Sequence, residues 1–462
     1  MESPLDYLKN SAENDWLIDD GSNKFSQLAT QLYLELSQLL TQGTAPKILL
    51  AHSAPIDFLA GFIAACAAGC PVFLCNPNWV KHEWQQVFEL VQPDLIWSAH
   101  PEIKKQQGNS SIQNLESKIQ NRIMIPTGGS SGKIRFVMHT WDTLMASVQG
   151  FQSYFQLSQI NSFCILPLYH VSGLMQFLRS FTTKGAFVNL TFKNIVNNEI
   201  PNIAPAEFFI SLVPTQLQRI LQSPTLADWL SQFKTVLLGG APAWQELLEQ
   251  ARDYGIRLAP TYGMTETASQ IVTLKPEDFL KGYNNCGQVL PHAQVNIVSP
   301  DRQILTANKT GIVSIKAQSL ALGYYPELFT NREQIQLDDL GFFDEQGYLN
   351  IIGRNSNKII TGGENVYPNE VEAVIRATQL VDDVCVIGIC DRIWGQAVTA
   401  VYVPNPKVTP AQIKEAIADK LSKFKQPKNW ICLEKLPRNL QGKINREKIH
   451  QIATEFLQQF PS

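Results

Sequence analysis

The sequence predicts an α/β fold: a large N-terminal domain of layered α/β sheets that includes a small β-rich section, followed by a small α/β C-terminal domain. Three observations predict it. Helical and strand-like stretches alternate through the first three-quarters of the 462 residues, the pattern of a largely parallel sheet with helical crossovers. Ala293–Val298 and Gly311–Ile315 read as strands with no helix between them. The alternation then restarts after Gly353-Arg354, which divides the chain into units 1–354 and 355–462.

The elements follow in order. Lys47–Ala51 is a short apolar strand, and residues 56–68 are helical. Phe58 to Cys75 is an apolar run of 18 residues, the lower edge of membrane-spanning length, but Gly69-Cys70-Pro71 interrupts it. The expectation is a buried helix ending near Gly69 and a buried strand from Pro71 to Cys75. Residues 101–122 are polar and predict a surface excursion. Phe163–Leu166, Phe208–Val213 and Thr235–Leu238 are further apolar strands bounded by polar, Gly or Pro residues. The tail predicts a helix from about Pro368, strands Val384–Ile389 and Val398–Val403, a helix Pro410–Leu421 and a closing basic loop.

Composition excludes some classes. Hydrophobic residues make up 44%, enough for a sizeable core, and a net charge of −3 argues against a nucleic-acid partner. None of the eight cysteines forms a C-x-x-C pair or has histidines at zinc-site spacing, so reduced thiols, several of them buried, are expected. The first residues carry acids and no apolar core segment, which fits a cytoplasmic chain without a signal peptide or membrane span.

Four segments carry chemistry. Thr127-Gly128-Gly129-Ser130-Ser131-Gly132-Lys133-Ile134-Arg135 combines backbone freedom, hydroxyl donors and two cations, as a polyphosphate requires. Its glycine spacing is not that of a Walker A loop, and alone the string is equally a flexible linker. Gly239-Gly240-Ala241 ends a strand where open α/β sheets place ligands. Twenty residues on, Thr261-Tyr262-Gly263-Met264-Thr265-Glu266 offers a flat ring for a purine, a phosphate-directed hydroxyl and a carboxylate suited to Mg²⁺. Glu266 is also an ordinary helix-start acid. Asp338-Asp339 with Arg354 could hold a ribose or form a surface turn. Near the end, Gly442-Lys443 places one cation in a loop, which alone reads as a solvated charge.

In this order and at these distances, the four segments resemble the acyl-adenylate-forming family of acyl- and aryl-CoA ligases, peptide-synthetase adenylation domains and firefly-type luciferases. The resemblance spans about Lys47 to Ile449. It implies an enzyme that uses ATP, Mg²⁺ and coenzyme A on a small carboxylic acid, with a C-terminal domain that turns between two half-reactions. Thr127 to Arg135 would hold the β- and γ-phosphates. Gly239, Gly240, Ala241, Tyr262, Gly263 and Met264 would surround the nucleotide, with Thr265 at the α-phosphate and Glu266 on Mg²⁺. Asp339 and Arg354 would grip the ribose, and Lys443, Thr265 and His170 would form the catalytic set. Ser356 would be the hinge, and Gly362, Gly363 and Glu364 would enter for thioester formation.

Pro167–Gly173, Glu266–Leu274 and Gly362–Pro368 look most like the branch acting on 2-succinylbenzoate, in menaquinone and phylloquinone synthesis. That acid has an aliphatic carboxylate to activate and an aromatic one to recognise. His170, Ser172, Arg179, Ser269, Gln270 and Thr273 would line its pocket, although Arg179 could be an ordinary surface arginine. Three positions depart from the family pattern. Arg135 stands where a lysine is usual, Asp338 replaces the glycine of Thr-Gly-Asp, and Ser356 replaces an acidic or lysine hinge. A ligase of another aryl or fatty acid, a domain loading a carrier protein and an inactive nucleotide-binding scaffold are the competing readings.

Overall fold

The computed structural model describes residues 2–10, 16–18, 21–41, 43, 45–99, 120–128, 134–361, 364–391, 394–406, 408–439 and 442–459. Two seven-stranded sheets dominate it. In the first, Ile48–Ala51, Val72–Leu74, Leu95–Ser98 and Ile123–Gly128 run parallel, and Ile134–His139 and Gly323–Tyr324 extend the edge antiparallel. In the second, Asn161–Cys164, Phe187–Asn189, Phe208–Leu212, Thr235–Leu238 and Leu258–Met264 are parallel, and Ser269–Thr273 folds back antiparallel. These short runs are mostly apolar because helices cover the faces of parallel sheets.

The apolar segment after Phe58 is a helix, Pro55–Ala67, buried along most of its length and packed on the helix Gly21–Leu40. A helix apolar on all sides belongs in a core. It stops because Gly69 takes φ +71°, and the chain re-enters as the strand Val72–Leu74. Among the described residues no helix is long and apolar enough to cross a membrane. All eight cysteines are free, and Cys70, Cys75, Cys164 and Cys385 are buried. The surface excursion expected at residues 101–122 lies mostly outside the described residues.

The β-rich section is a four-stranded antiparallel sheet, Ala293–Val298, Gly311–Ala317, Ile335–Phe343 and Leu349–Arg354. Its inward residues Val295, Ile297, Val313 and Ile315 share one core with Ile271 and Val272 of the second large sheet. The last sheet pairs Val381–Asp391 with Gly395–Pro404 and carries the hairpin Ile359–Thr361 to Glu364–Val366. The helices Pro368–Arg376 and Pro410–Ile417 cover it.

Two expectations are corrected. The helix after Pro410 ends at Ile417, where the Ala418 N–H turns back to the Glu415 carbonyl. The chain also closes in a helix, Arg446–Gln459, in place of a basic loop. Arg446 and Lys448 gave that segment a loop-like charge, but Ile449, Ala453 and Leu457 recur every fourth residue and pack on the final sheet.

Candidate active site

The site forms where the two large sheets meet. Leu258–Met264 leaves the second sheet into a tight turn, Thr265–Thr267. Gly263 is required there, since a Cβ would lie 2.2 Å from the Ser269 carbonyl oxygen. Thr267 ties the turn, accepting from the Met264 N–H at 3.0 Å and donating to the Ser269 carbonyl at 2.7 Å. The first sheet holds the same turn from outside. His139 Nε2 is 2.7 Å from the Thr265 carbonyl, and the Ala321 N–H donates to the Glu266 carbonyl at 2.8 Å. A carbonyl only accepts, so His139 carries its proton on Nε2.

With its backbone held, Glu266 turns its carboxylate to Tyr324, whose hydroxyl donates to Oε1. The Arg135 guanidinium lies 4.4 Å above the Tyr324 ring, so the ring carries the cation on its face and the carboxylate at its hydroxyl. Burial, then Glu266, push the Tyr324 hydroxyl pKa up, so it remains a donor. Thr127 faces Arg135 across the hairpin and Gly128 faces Ile134. Gly129, Ser130, Ser131, Gly132 and Lys133 lie outside the described residues.

Asp339 and Arg354 are register partners on neighbouring strands, with Arg354 Nε donating to Oδ1 at 3.3 Å. Tyr262 donates its hydroxyl to the other oxygen at 2.7 Å. Gly239, Gly240 and Ala241 follow the strand Thr235–Leu238, beside Thr261. A Cβ on Gly239 would fall 2.5 Å from Thr261 Oγ1, and Gly240 sits at φ +82°. Thr261 thus fills the space beside Gly239, and the strand end packs closely on the strand Leu258–Met264 that carries Tyr262.

Lys443 reaches this cluster from the far end of the chain. Its turn is fixed by reciprocal bonds with Asn439: the Asn439 N–H to the Lys443 carbonyl at 2.8 Å, and the Lys443 N–H to Asn439 Oδ1 at 2.9 Å. Gly442 packs by Thr215 of the large domain, 3.7 Å from a notional Cβ. The residue is exposed by surface area, yet enough protein lies around it that desolvation lowers its pKa; Arg354 lowers it further and Glu266 opposes. His170, just before the helix Val171–Thr182, is pushed down to about 3 by burial and then by Lys443. It is therefore neutral at physiological pH.

A second polar cluster lies deeper. Arg179 is 3% exposed, which overturns the surface alternative. Its Nη2 donates to Ser269 Oγ at 3.1 Å and Gln270 Oε1 at 2.9 Å, and its guanidinium lies 4.1 Å above Phe151. It has no acidic partner among the described residues, and its Nε is unpaired, as are Gln270 Nε2 and Thr273 Oγ1. Burial lowers its pKa to about 9, so it stays charged at neutral pH. Ser172 is exposed at the start of the helix and has no bond to this cluster.

Ser356 donates its N–H to both oxygens of Asp338, at 3.1 and 3.2 Å, and its hydroxyl to Oδ2. Glu364 is exposed on its hairpin, paired with Thr361, while Gly362 and Gly363 lie outside the described residues. The sequence did not point to Tyr324, His139, Asp338 as a partner, or His292. Only Tyr324 had a local signal, the turn-rich Gly323-Tyr324-Tyr325-Pro326.

The chain resembles known proteins over most of its length. Residues 118–325 match the family described as AMP-binding enzyme, and residues 370–443 match the AMP-binding enzyme C-terminal domain. The chain is 32% identical to a 2-succinylbenzoate–CoA ligase of Enterococcus faecalis over 366 residues, 77% of this chain and 74% of that protein. It is 33% identical to the Bacillus anthracis protein of the same name over 368 residues, 75% and 73% of the two chains. The solved o-succinylbenzoate CoA synthetase from Bacillus subtilis, in complex with an acyl-adenylate intermediate, superposes with a TM-score of 0.82 at 23% identity, covering 97% of this chain and 98% of that one. ATP-bound MatB from Rhodopseudomonas palustris has the same fold, with a TM-score of 0.82 at 21% identity, covering 98% and 100%.

Proposed function

The chain belongs to the AMP-binding enzyme family, and on that premise we propose that it is an ATP-dependent acid–CoA ligase whose acid is 2-succinylbenzoate, in menaquinone or phylloquinone synthesis. One observation carries the catalytic part of this reading: Lys443 lies within electrostatic reach of Glu266 and Arg354, although the chain separates it from Glu266 by most of the second half. A cation from the C-terminal unit then meets the nucleotide groups of the N-terminal unit, as adenylation demands. Residues 1–354 serve as the adenylation domain and 355–462 as the mobile domain in this reading.

In the first step a carboxylate oxygen attacks the α-phosphorus of ATP, and pyrophosphate leaves with the bonding electrons. The protein has little covalent work to do, so positioning and charge neutralisation dominate. Lys443 is the mobile cation at the reacting phosphate, and the Thr265 hydroxyl, unbonded among the described residues, is free to donate to it. Neutral His170 orients the attacking acid. Tyr262 and the Gly239–Ala241 turn flank adenine, and Asp339 with Arg354 grips the ribose. Thr127 to Arg135 holds the outer phosphates.

Mg²⁺ fits Glu266. No cluster of three or more metal-binding side chains exists among the described residues, and Mg²⁺ is commonly held by one or two carboxylates with substrate phosphates. Tyr324 occupies Oε1 and leaves Oε2 for this purpose. The ion would neutralise phosphate charge. In the second step the thiol sulfur of coenzyme A attacks the acyl carbon, AMP leaves and the thiol proton is released. Ser356 acts as the hinge, and Glu364 with Gly362 and Gly363 enters the site.

For the acid, the support is the buried, acid-free Arg179 beside Ser269 and Gln270, together with the names of the relatives. Ser172, exposed, would sit at the pocket mouth, and Thr273 at its base. The test is pyrophosphate release from ATP with 2-succinylbenzoate, benzoate, coumarate or octanoate, with and without coenzyme A. Release that is fastest with 2-succinylbenzoate and yields a thioester supports the reading. Preference for another acid keeps the ligase class and replaces the substrate; no release with any acid overturns both.

A further inference from the structure

A histidine with no assigned task sits beside Arg179. His292 lies in the loop leading into Ala293–Val298, anchored where its carbonyl accepts from the Gln318 N–H at 3.1 Å. It is 8% exposed, and neither ring nitrogen has a hydrogen-bond partner. An unpaired buried polar atom is costly, so two on one ring call for a ligand or a cost borne for function.

The helix Trp141–Phe155 defines what the ring faces. Ser147 donates to the Ala268 carbonyl at 2.7 Å and Tyr154 to the Thr273 carbonyl at 2.5 Å. One helical face therefore runs along Ser269–Thr273, with Gly150 and Phe151 midway. Phe151 carries the Arg179 guanidinium. Gly150 carries His292: a Cβ there would fall 1.8 Å from Nδ1 and 2.5 Å from Cγ. Glycine inside a helix is disfavoured relative to alanine, and here its bare surface is the seat of the imidazole.

Arg179 and His292 thus stand on consecutive residues of one helix. Around them Arg179 Nε, Gln270 Nε2, Thr273 Oγ1 and both His292 nitrogens lack partners. The set is rich in donors and includes no carboxylate. We propose that His292 is a specificity residue that donates an N–H, beside Arg179, to the carboxylate of the acid that is not activated. Burial and then Arg179 hold the ring at about 4, so it supplies a donor and not a second charge. A site that hydrogen-bonds a substrate group discriminates strongly against the analogue lacking it, because its own polar atoms are then left unpaired.

This inference rests on the acid–CoA ligase reading, and the test separates the two. Pyrophosphate release by the full chain is measured with 2-succinylbenzoate and with 3-benzoylpropionate, which lacks only the ring carboxylate. For His292→Ala the expected result is a KM for the diacid raised about tenfold, as for one lost hydrogen bond of about 1.4 kcal/mol. Its kcat and its KM for the monoacid stay within about threefold. His292→Gln, which keeps a donor, recovers part of the loss, and Gly150→Ala, which displaces the ring without removing it, repeats the His292→Ala pattern. Equal losses on both acids, or an undiminished diacid preference in His292→Ala, overturn the inference alone. A wild-type protein inactive with both acids overturns the ligase reading and the inference with it.

Discussion

Ser356 is bound to Asp338 by its backbone N–H and its hydroxyl together. These are two of the three positions at which the chain departs from its family's pattern, and they meet at the proposed hinge. The tie exists in the arrangement that brings Lys443 to Glu266, so it favours that arrangement. Both residues are exposed, which limits the bond to about 1 kcal/mol or less. Asp338→Gly is expected to slow adenylation up to about fivefold and to leave thioester formation from supplied acyl-adenylate unchanged or faster. Rapid-quench assays of the two half-reactions check it.

Lys443→Ala is expected to lose adenylation by about 10²–10³, the usual effect of removing one contact to developing charge. Thioester formation from supplied acyl-adenylate should persist. Equal loss in both half-reactions would contradict a lysine used in only one of them.

The same lysine sets an alkaline limit. Its pKa is lowered by burial and by Arg354, so the ammonium is present at lower pH and lost as pH rises, sooner than for a free lysine. The adenylation rate should fall on an alkaline limb below the ordinary lysine value of 10.5. Glu266 opposes that shift, and Glu266→Gln should move the limb to still lower pH while slowing the reaction. pH–rate profiles of pyrophosphate release measure both.

Arg179→Met keeps an unbranched apolar stem in the core and removes the charge. Hydrogen bonds to charged groups contribute about 1.5–3 kcal/mol, so KM for 2-succinylbenzoate should rise between about tenfold and 150-fold. ATP affinity should change little. A matching loss of ATP binding would mean that the residue shapes the whole site.

His139 is fully buried and its pKa is lowered to about 4, chiefly by burial. The unfolded chain takes up a proton near 6.5, and the folded one not until about 4. Stability from this group is therefore present above 6.5 and declines as pH falls toward 4. At pH 5 the loss is about 2 kcal/mol. The fall in thermal midpoint between pH 7 and pH 5 should be smaller in His139→Gln than in the wild type.

Much of this was legible in the chain because it depends on local chemistry. Thr235–Leu238 and Ala293–Val298 match their observed limits, since glycine, proline and polar residues mark their ends. Glu266, Asp339, Arg354 and Lys443 each read alone as an ordinary surface charge, and only their order and spacing, through the resemblance to a family, joined them in one site. The final helix was missed because the basic residues at its start masked an apolar stripe of only three residues. His139, Tyr324 and His292 were missed for a different reason. Each acquires its setting from a partner more than fifty residues away, and no spacing within a window records that.

The turn at Thr265–Glu266 is gripped from both sheets, through His139 and Ala321 on one side and its own strand on the other. A nucleotide pocket built on this turn, as proposed, would thus be a joint property of two halves, like a keystone that neither wall owns. A fragment bearing either sheet alone would retain an incomplete set of contacts to ATP, and any loosening between the halves would be felt first as lost grip on the nucleotide. Ligand and architecture then protect each other, and heating the ATP complex should melt both sheets in a single event.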